Sequence, residues 1–183
     1  MRSPSRTSRS LLTDTCSVIE AYRVGAWGAL TRGWQVHVPG SVIVHEARYF
    51  SSAHGRSTIS LSQQADAGAI RRVDATDWEM YELRERLPGH LWDRLGEGER
   101  ECLAILLSGP VPGLLLCTAD RLAVHAACLL DLSHQVVSLE AALQACGASK
   151  QVRKQYREGW LKAVLREGRV LAVQAGGSGP GQT

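Results

Sequence analysis

Leu11-Leu12-Thr13-Asp14-Thr15-Cys16-Ser17-Val18-Ile19 opens on a short apolar run, meets an acid, and goes on as the start of a helix. Leu11-Leu12-Thr13 reads as a strand. Ser17 to about Thr31 reads as a helix with Val18, Tyr22 and Ala26 on one face. Working outward, the pattern recurs. Gln35-Val36-His37-Val38 is a strand stopped by Pro39-Gly40, and Ser41 to Phe50 a helix with Ser41 at its N-cap. Thr58-Ile59-Ser60-Leu61 and Ile70-Arg71-Arg72-Val73 read as strand pieces around a polar turn at Gln63–Gly68, an added hairpin within a long 51–93 segment. Thr76 to Leu87 is a helix opening on the capping pattern T-x-x-E, and Pro88-Gly89 ends it. Gly98 to Leu107 is a helix, Leu114-Leu115-Leu116-Cys117 a buried strand, Ala119 to Leu130 a helix, and Gln135-Val136-Val137 the last main strand. Ser138 to Cys146 and Lys150 to Glu167 complete the helices. Strands alternating with helices across short links imply a parallel sheet covered on both faces, with ligands taken beyond the carboxyl ends of the strands.

The 183 residues suit one domain with a real core. No apolar run approaches the roughly 18–20 residues that span a bilayer, and the Arg-bearing start has no apolar stretch of signal-peptide length after it. A cytoplasmic protein with no membrane partner is expected. The five cysteines form no CxxC and no tight cluster, so buried free thiols are their default reading. Charge is uneven. Residues 1–9 carry three Arg and no acid, and residues 149–169 carry seven basic side chains against two acidic ones. With a formal net charge of only +3, the body between is net acidic. Residues 1–10 are expected to be a disordered basic tail, 11–148 the domain, 149–172 a basic helix packed on it, and 173–183 a second disordered tail.

The acids in the body follow the sheet. Asp14 comes directly after the first strand and Asp120 just past Leu114–Cys117, both at carboxyl ends. Glu46 lies in the apolar stretch Val42–Ala47, and Glu99 at the first turn of an apolar helix. An unpaired carboxylate on a core-facing side is costly, and a hard divalent cation with oxygen ligands removes the cost. Each acid also has a structural reading: Asp14 and Asp120 as helix caps, Glu46 as a solvated helix residue, Glu99 as a first-turn acid favoured by the helix dipole. The six histidines are scattered, with no HExxH.

The order and context of these acids resemble the PIN-domain nucleases. Leu11 to Ile19 resembles the family's opening strand and first acid. Val38-Pro39-Gly40-Ser41-Val42-Ile43-Val44-His45-Glu46 resembles its strand, proline and helix with the second acid. Gly96-Glu97-Gly98-Glu99-Arg100-Glu101-Cys102-Leu103-Ala104 is similar to the G-E-x-E-A-I-x-L-A helix of one subgroup, and Leu115-Leu116-Cys117-Thr118-Ala119-Asp120 to its strand ending in T-x-D. The resemblance covers residues 11 to about 145. It implies a PIN-like three-layer α/β/α fold with a central mostly parallel sheet, and a Mg²⁺- or Mn²⁺-dependent endoribonuclease. Asp14 and Asp120 would be direct ligands, with Glu46 and Glu99 completing the cluster. Glu101, roughly 200° around the helix from Glu99, is the alternative third acid.

Thr15, Ser17 and Thr118 are candidates to orient a ligand or the scissile phosphate, or else to cap helices. Lys150, Arg153, Lys154 and Arg157 follow helical spacing and are expected on one broad face against the RNA backbone, with a solvated face as the equal alternative. Tyr156 and Trp160, four apart, fit core packing better than base stacking. The chain's size resembles the toxin of VapBC-type toxin–antitoxin pairs, which would add an antitoxin protein as partner; a homodimer is compatible with that role. Two further readings compete: a catalytically inactive RNA- or protein-binding regulatory module, and a Mg²⁺ phosphatase. The latter lacks its usual D-x-D at Asp14-Thr15-Cys16.

Overall fold

The computed structural model describes residues 9–52 and 55–176. The fold is an α/β/α sandwich around a five-stranded parallel sheet, in the order β5-β2-β1-β6-β7. β1 (Ser10–Thr13) sits at the centre, between β2 (Gln35–Pro39) and β6 (Leu115–Cys117). β5 (Arg71–Val73) and β7 (Val136–Val137) form the edges.

Alternation along the strands builds the two cores. Leu11, Val36, Val38 and Cys117 face one side, where Val18, Trp27, Leu30, Leu139 and Leu143 cover them from α1 (Thr15–Arg23), α2 (Trp27–Gly33) and α8 (Leu139–Ala145). Leu12 and Leu116 face the other. There Leu83 of α4 (Asp77–Arg86), Leu91 of α5 (Gly89–Trp92), Leu103 and Leu106 of α6 (Glu97–Ser108) and Ala126 of α7 (Arg121–Leu129) close over them. Each such leucine contributes about 1.5–3 kcal/mol relative to an exposed position. α4 opens on the capping box expected at Thr76 and Glu79. α9 (Glu158–Gly176) packs on α7 through Val124, Leu161 and Val164. Among the described residues all five cysteines are free, and no helix is long and apolar enough to cross a membrane.

Several local expectations are corrected. The expected Ser17–Thr31 helix is two helices, because Gly25 takes φ +64 and turns the chain between them. Ser41 is not an N-cap: its own backbone is helical, and Val42–Glu46 forms a single π-turn. The chain then enters a separate antiparallel hairpin, β3 (Tyr49–Ser52) with β4 (Gly55–Thr58), whose Phe50 tilts against Tyr22. The polar stretch read as a turn is α3 (Leu61–Asp66), and Arg71–Val73 joins the main sheet beside β2.

The basic segment also differs. Lys150–Arg157 is an extended strap with one short 3-10 turn at Lys154–Tyr156, and α9 starts only at Glu158. Val152 and Tyr156 are buried in the first core, which pins the strap. Lys150, Arg153, Lys154 and Arg157 therefore share no helical face. The backbone N–H of Arg153 donates to Glu20 (2.9 Å) and its side chain pairs with the same carboxylate (3.2 Å), while Arg157 Nε donates to the Val152 carbonyl (3.1 Å). Burial opposes ionisation of Glu20, but Arg23 and Arg153 together hold it below the usual carboxylate range. Residues 173–176 belong to α9, and Ser10, expected in the first tail, is buried at the start of β1 next to the described Arg9; the rest of the expected tails, residues 1–8 and 177–183, lies outside the described residues.

His37 is the one costly feature of β2. It is buried beside Leu12, and neither ring nitrogen has a hydrogen-bond partner among the described residues. Burial, then Arg71, push its pKa below 6.5. His37→Leu is expected to raise stability by about 1–3 kcal/mol. Because the unfolded chain binds that proton more readily, the wild type loses stability as pH falls through about 6.5 and the variant is spared that loss. Urea unfolding of both proteins at pH 5.5 and 8 checks this; equal pH dependence would refute it.

Candidate metal centre

β1 is the point where the chain leaves in both directions, to β2 on one side and β6 on the other. A crevice opens at such a switch point beyond the carboxyl ends. The first residue there is Asp14, fully buried. Its Oδ1 accepts the Ser17 N–H (2.8 Å) and so caps α1, and its Oδ2 accepts the Thr118 hydroxyl (2.6 Å). Burial raises the Asp14 pKa, the Thr118 and Ser17 hydrogen bonds lower it, and the charge of Asp120 raises it again, with a net upward result.

Asp120 mirrors Asp14 at the end of β6. It caps α7, its Oδ1 accepting the Ala123 N–H (2.8 Å), and its own N–H donates to Thr118 Oγ1 (3.1 Å). Thr118 is thus a hydroxyl clamp between the two aspartates. Both structural readings of these acids hold, yet capping uses one lone pair of about four on each carboxylate.

Glu46 and Glu99 come from the flanking elements, and glycines let them in. Glu46 accepts the Gly98 N–H (3.2 Å) and the Thr15 hydroxyl. A Cβ on Gly98 would stand 2.7 Å from Glu46 Oε2, and one on Gly96 would stand 2.2 Å from Glu99 Oε2. The glycines of Gly96-Glu97-Gly98-Glu99 thus leave room for two carboxylates. Glu99 is pushed up to about 7, by burial first and then by Asp14, Asp120 and Glu46. Glu101 turns away. It is buried and accepts hydrogen bonds from the Ser41 backbone (3.0 Å) and hydroxyl and from Ala75 N–H (3.2 Å), stitching the ends of β2 and β5 to α6.

Cys16 is the member that sequence reading passed over. One ligand atom from each of Asp14, Cys16 and Glu99 lies within 4.8 Å of the others, a geometry able to hold a metal ion. No spacing signal marks a single cysteine; only the approach of α6 to the first turn of α1 does. Burial, then Asp14, Glu99, Asp120 and Glu46 in turn, push its thiol up to about 12. At neutral pH Cys16 therefore presents a neutral S–H, and the ready donors are carboxylate oxygens, suited to hard cations.

Of the other expected positioning groups, Thr118 holds Asp14, Thr15 holds Glu46, and the Ser17 hydroxyl donates to the Cys117 carbonyl (3.1 Å). The basic strap passes close by: the Tyr156 hydroxyl is raised by burial and then by Cys16 and Asp14. Among the described residues no arginine or lysine pairs with Asp14, Glu46, Glu99 or Asp120. No protein-family model, curated protein or solved structure matches the chain.

With Asp14 and Glu99 both raised, the folded metal-free state holds protons that the unfolded chain gives up. Their contribution to stability is full below about 4, where both states are protonated, and is lost as pH rises through about 7. Without a divalent cation the wild type should lose stability from pH 5 to 8, and Glu99→Gln should recover on the order of 1 kcal/mol at pH 8. Urea unfolding in EDTA reads both. A Glu99→Gln curve that tracks the wild type at every pH would mean that Glu99 is not crowded by the other acids.

Proposed function

We propose that this chain is a metal-dependent ribonuclease of PIN-like design, hydrolysing RNA phosphodiesters in the crevice at the carboxyl ends of β1 and β6. The observation that carries the reading is the convergence of Asp14, Glu46, Glu99 and Asp120, with no basic partner among the described residues: two come from the ends of β1 and β6 and two from the flanking helical elements. The four quoted stretches that resemble PIN domains supply one of these acids each.

In this reading the protein's own groups divide the work. Asp14 and Asp120 offer oxygen ligands, each fixed by its cap and by Thr118, so that little reorganisation is needed on binding. Glu99 and Glu46 complete the acid set, Glu99 releasing its proton when a cation arrives. Bound Mg²⁺ or Mn²⁺ would acidify a water and neutralise charge on the phosphate. Lys150, Arg153, Lys154 and Arg157, on the strap whose Tyr156 feels the charge of Asp14, would take the RNA backbone, with Lys150 and Lys154 the better candidates because Arg153 and Arg157 already have partners.

The test is cleavage of mixed RNAs with Mg²⁺ or Mn²⁺, against EDTA, for wild type, Asp14→Asn and Cys16→Ser. Wild-type activity should vanish with chelation, and Asp14→Asn should lose at least a hundredfold. Cys16→Ser should keep activity within a few-fold, since a neutral thiol is not the required ligand. Cleavage that survives chelation overturns the proposal. RNA binding without cleavage by the metal-loaded wild type favours the inactive regulatory module instead.

A further inference from the structure

The opposite end of the sheet carries a second concavity, of about 640 Å³. It lies at the amino ends of the strands. Arg9 precedes β1, Gln35 opens β2, Arg71 opens β5, and Arg32 lies in the last turn of α2. All four line the pocket, with Trp34 and Ile70 among its apolar walls, and among the described residues no acidic side chain is in the lining. Among the described residues none of Arg9, Arg32 and Arg71 pairs with a carboxylate.

Two of these cations are held in place. With the Gln35 amide turned so that its oxygen rather than its nitrogen faces Arg71, that oxygen accepts from the guanidinium (3.0 Å from Nη2). Arg9 stands over the Trp34 ring at 6.0 Å, and its carbonyl accepts the Gln35 N–H (2.9 Å). The C-terminal ends of α2 and α8 also reach the pocket, and helix carbonyl ends attract cations. Each such end carries roughly half a negative charge at most. Two of them offset about one of the three arginines, leaving about two positive charges.

We propose that this pocket binds a small phosphorylated molecule of mononucleotide size, its phosphates on Arg32 and Arg71 and its apolar part against Trp34 and Ile70. Guanidinium forks match phosphate oxygens bidentately, and the volume falls within the roughly 300–1,000 Å³ of small-molecule sites. A polynucleotide would need a basic track leading onward. Here the walls are the ends of α2 and α8 on one side and the turn at Gly68-Ala69 on the other. The site is independent of the acidic crevice and does not rest on the nuclease reading.

Calorimetric titration of the full chain in EDTA and low salt tests it, with ADP, inorganic pyrophosphate and adenosine as separate probes. Wild type and Asp14→Asn should bind ADP alike, and adenosine at least tenfold more weakly. The Arg32→Gln/Arg71→Gln double variant should bind ADP at least tenfold more weakly at an unchanged melting temperature, both arginines being exposed. Arg71→Lys should fall between, keeping the charge and losing the fork. Pyrophosphate binding as tightly as ADP would still support the phosphate site. Wild type that binds neither ADP nor pyrophosphate overturns the proposal, as does an unchanged affinity in the double variant. Binding only of a twelve-nucleotide RNA, sensitive to the same arginines, overturns it in favour of a strand path.

Discussion

Repulsion among carboxylates is the constraint on which the carboxyl edge of this sheet depends. Two unit charges 4.8 Å apart, the spacing that bounds the Asp14–Cys16–Glu99 group, repel by about 3–4 kcal/mol at an effective dielectric near 20. A domain of ordinary stability has only about 5–15 kcal/mol in hand. The N-termini of α1, α6 and α7 meet the acids here and return about 0.3–1 kcal/mol each. That does not cancel even one such pair, and the charges of Asp120 and Glu46 add to it. What remains is relieved by protonation, seen in the raised Asp14 and Glu99, or by a cation from outside.

The local architecture maintains this crowding rather than avoiding it. Glycines at 96 and 98 leave the space that Glu99 and Glu46 fill, and a Cβ at either would displace the carboxylate tip beside it. Thr118 sits between two aspartates with its single hydroxyl proton committed to Asp14. Glu101, two residues from Glu99, shows how the same helix treats a purely structural acid: three donors satisfy it. Glu20 shows the other resolution, a buried carboxylate with two arginines. The four crevice acids, Asp14 buried and the other three half-buried, have neither kind of full compensation, which sets them apart from Glu101 and Glu20.

These acids were legible in the sequence because the signals were local. Leu11–Asp14 and Leu115–Asp120 each show a strand, its end and a cap within a few residues; helix periodicity lets only one of Glu99 and Glu101 face the site, and the resemblance of the Gly96–Ala104 stretch pointed to Glu99. What failed depended on distant contacts. Lys150, Arg153, Lys154 and Arg157 have helical spacing, but Val152 and Tyr156 are also four apart, and their burial in the first core with Glu20 below holds the segment extended. Arg71–Val73 could pair locally or with β2, and nothing in its own pattern decides between them. Gly25, placed inside a periodic apolar stretch, divided a helix that hydrophobic spacing had joined. Cys16 joins the site only because α6 folds against α1.

The charge layout follows from the parallel sheet itself. Strands that all run one way put helix N-termini at their carboxyl edge and helix C-termini at their amino edge. Acids gather at the first and Arg9, Arg32 and Arg71 at the second. The dipoles favour that assignment on both sides but, at half a charge per helix, do not neutralise either cluster. Nor can the clusters neutralise each other. β2, the longest strand, has five residues and spans about 16 Å, roughly two Debye lengths at physiological salt. At that separation a cation on one edge does little for an acid on the other, so each edge is relieved on its own terms, the acids by protonation or a cation and the arginines by an anion. The common direction of the strands thus gives the two edges opposite charge from one cause, while leaving whatever occupies them free to vary independently.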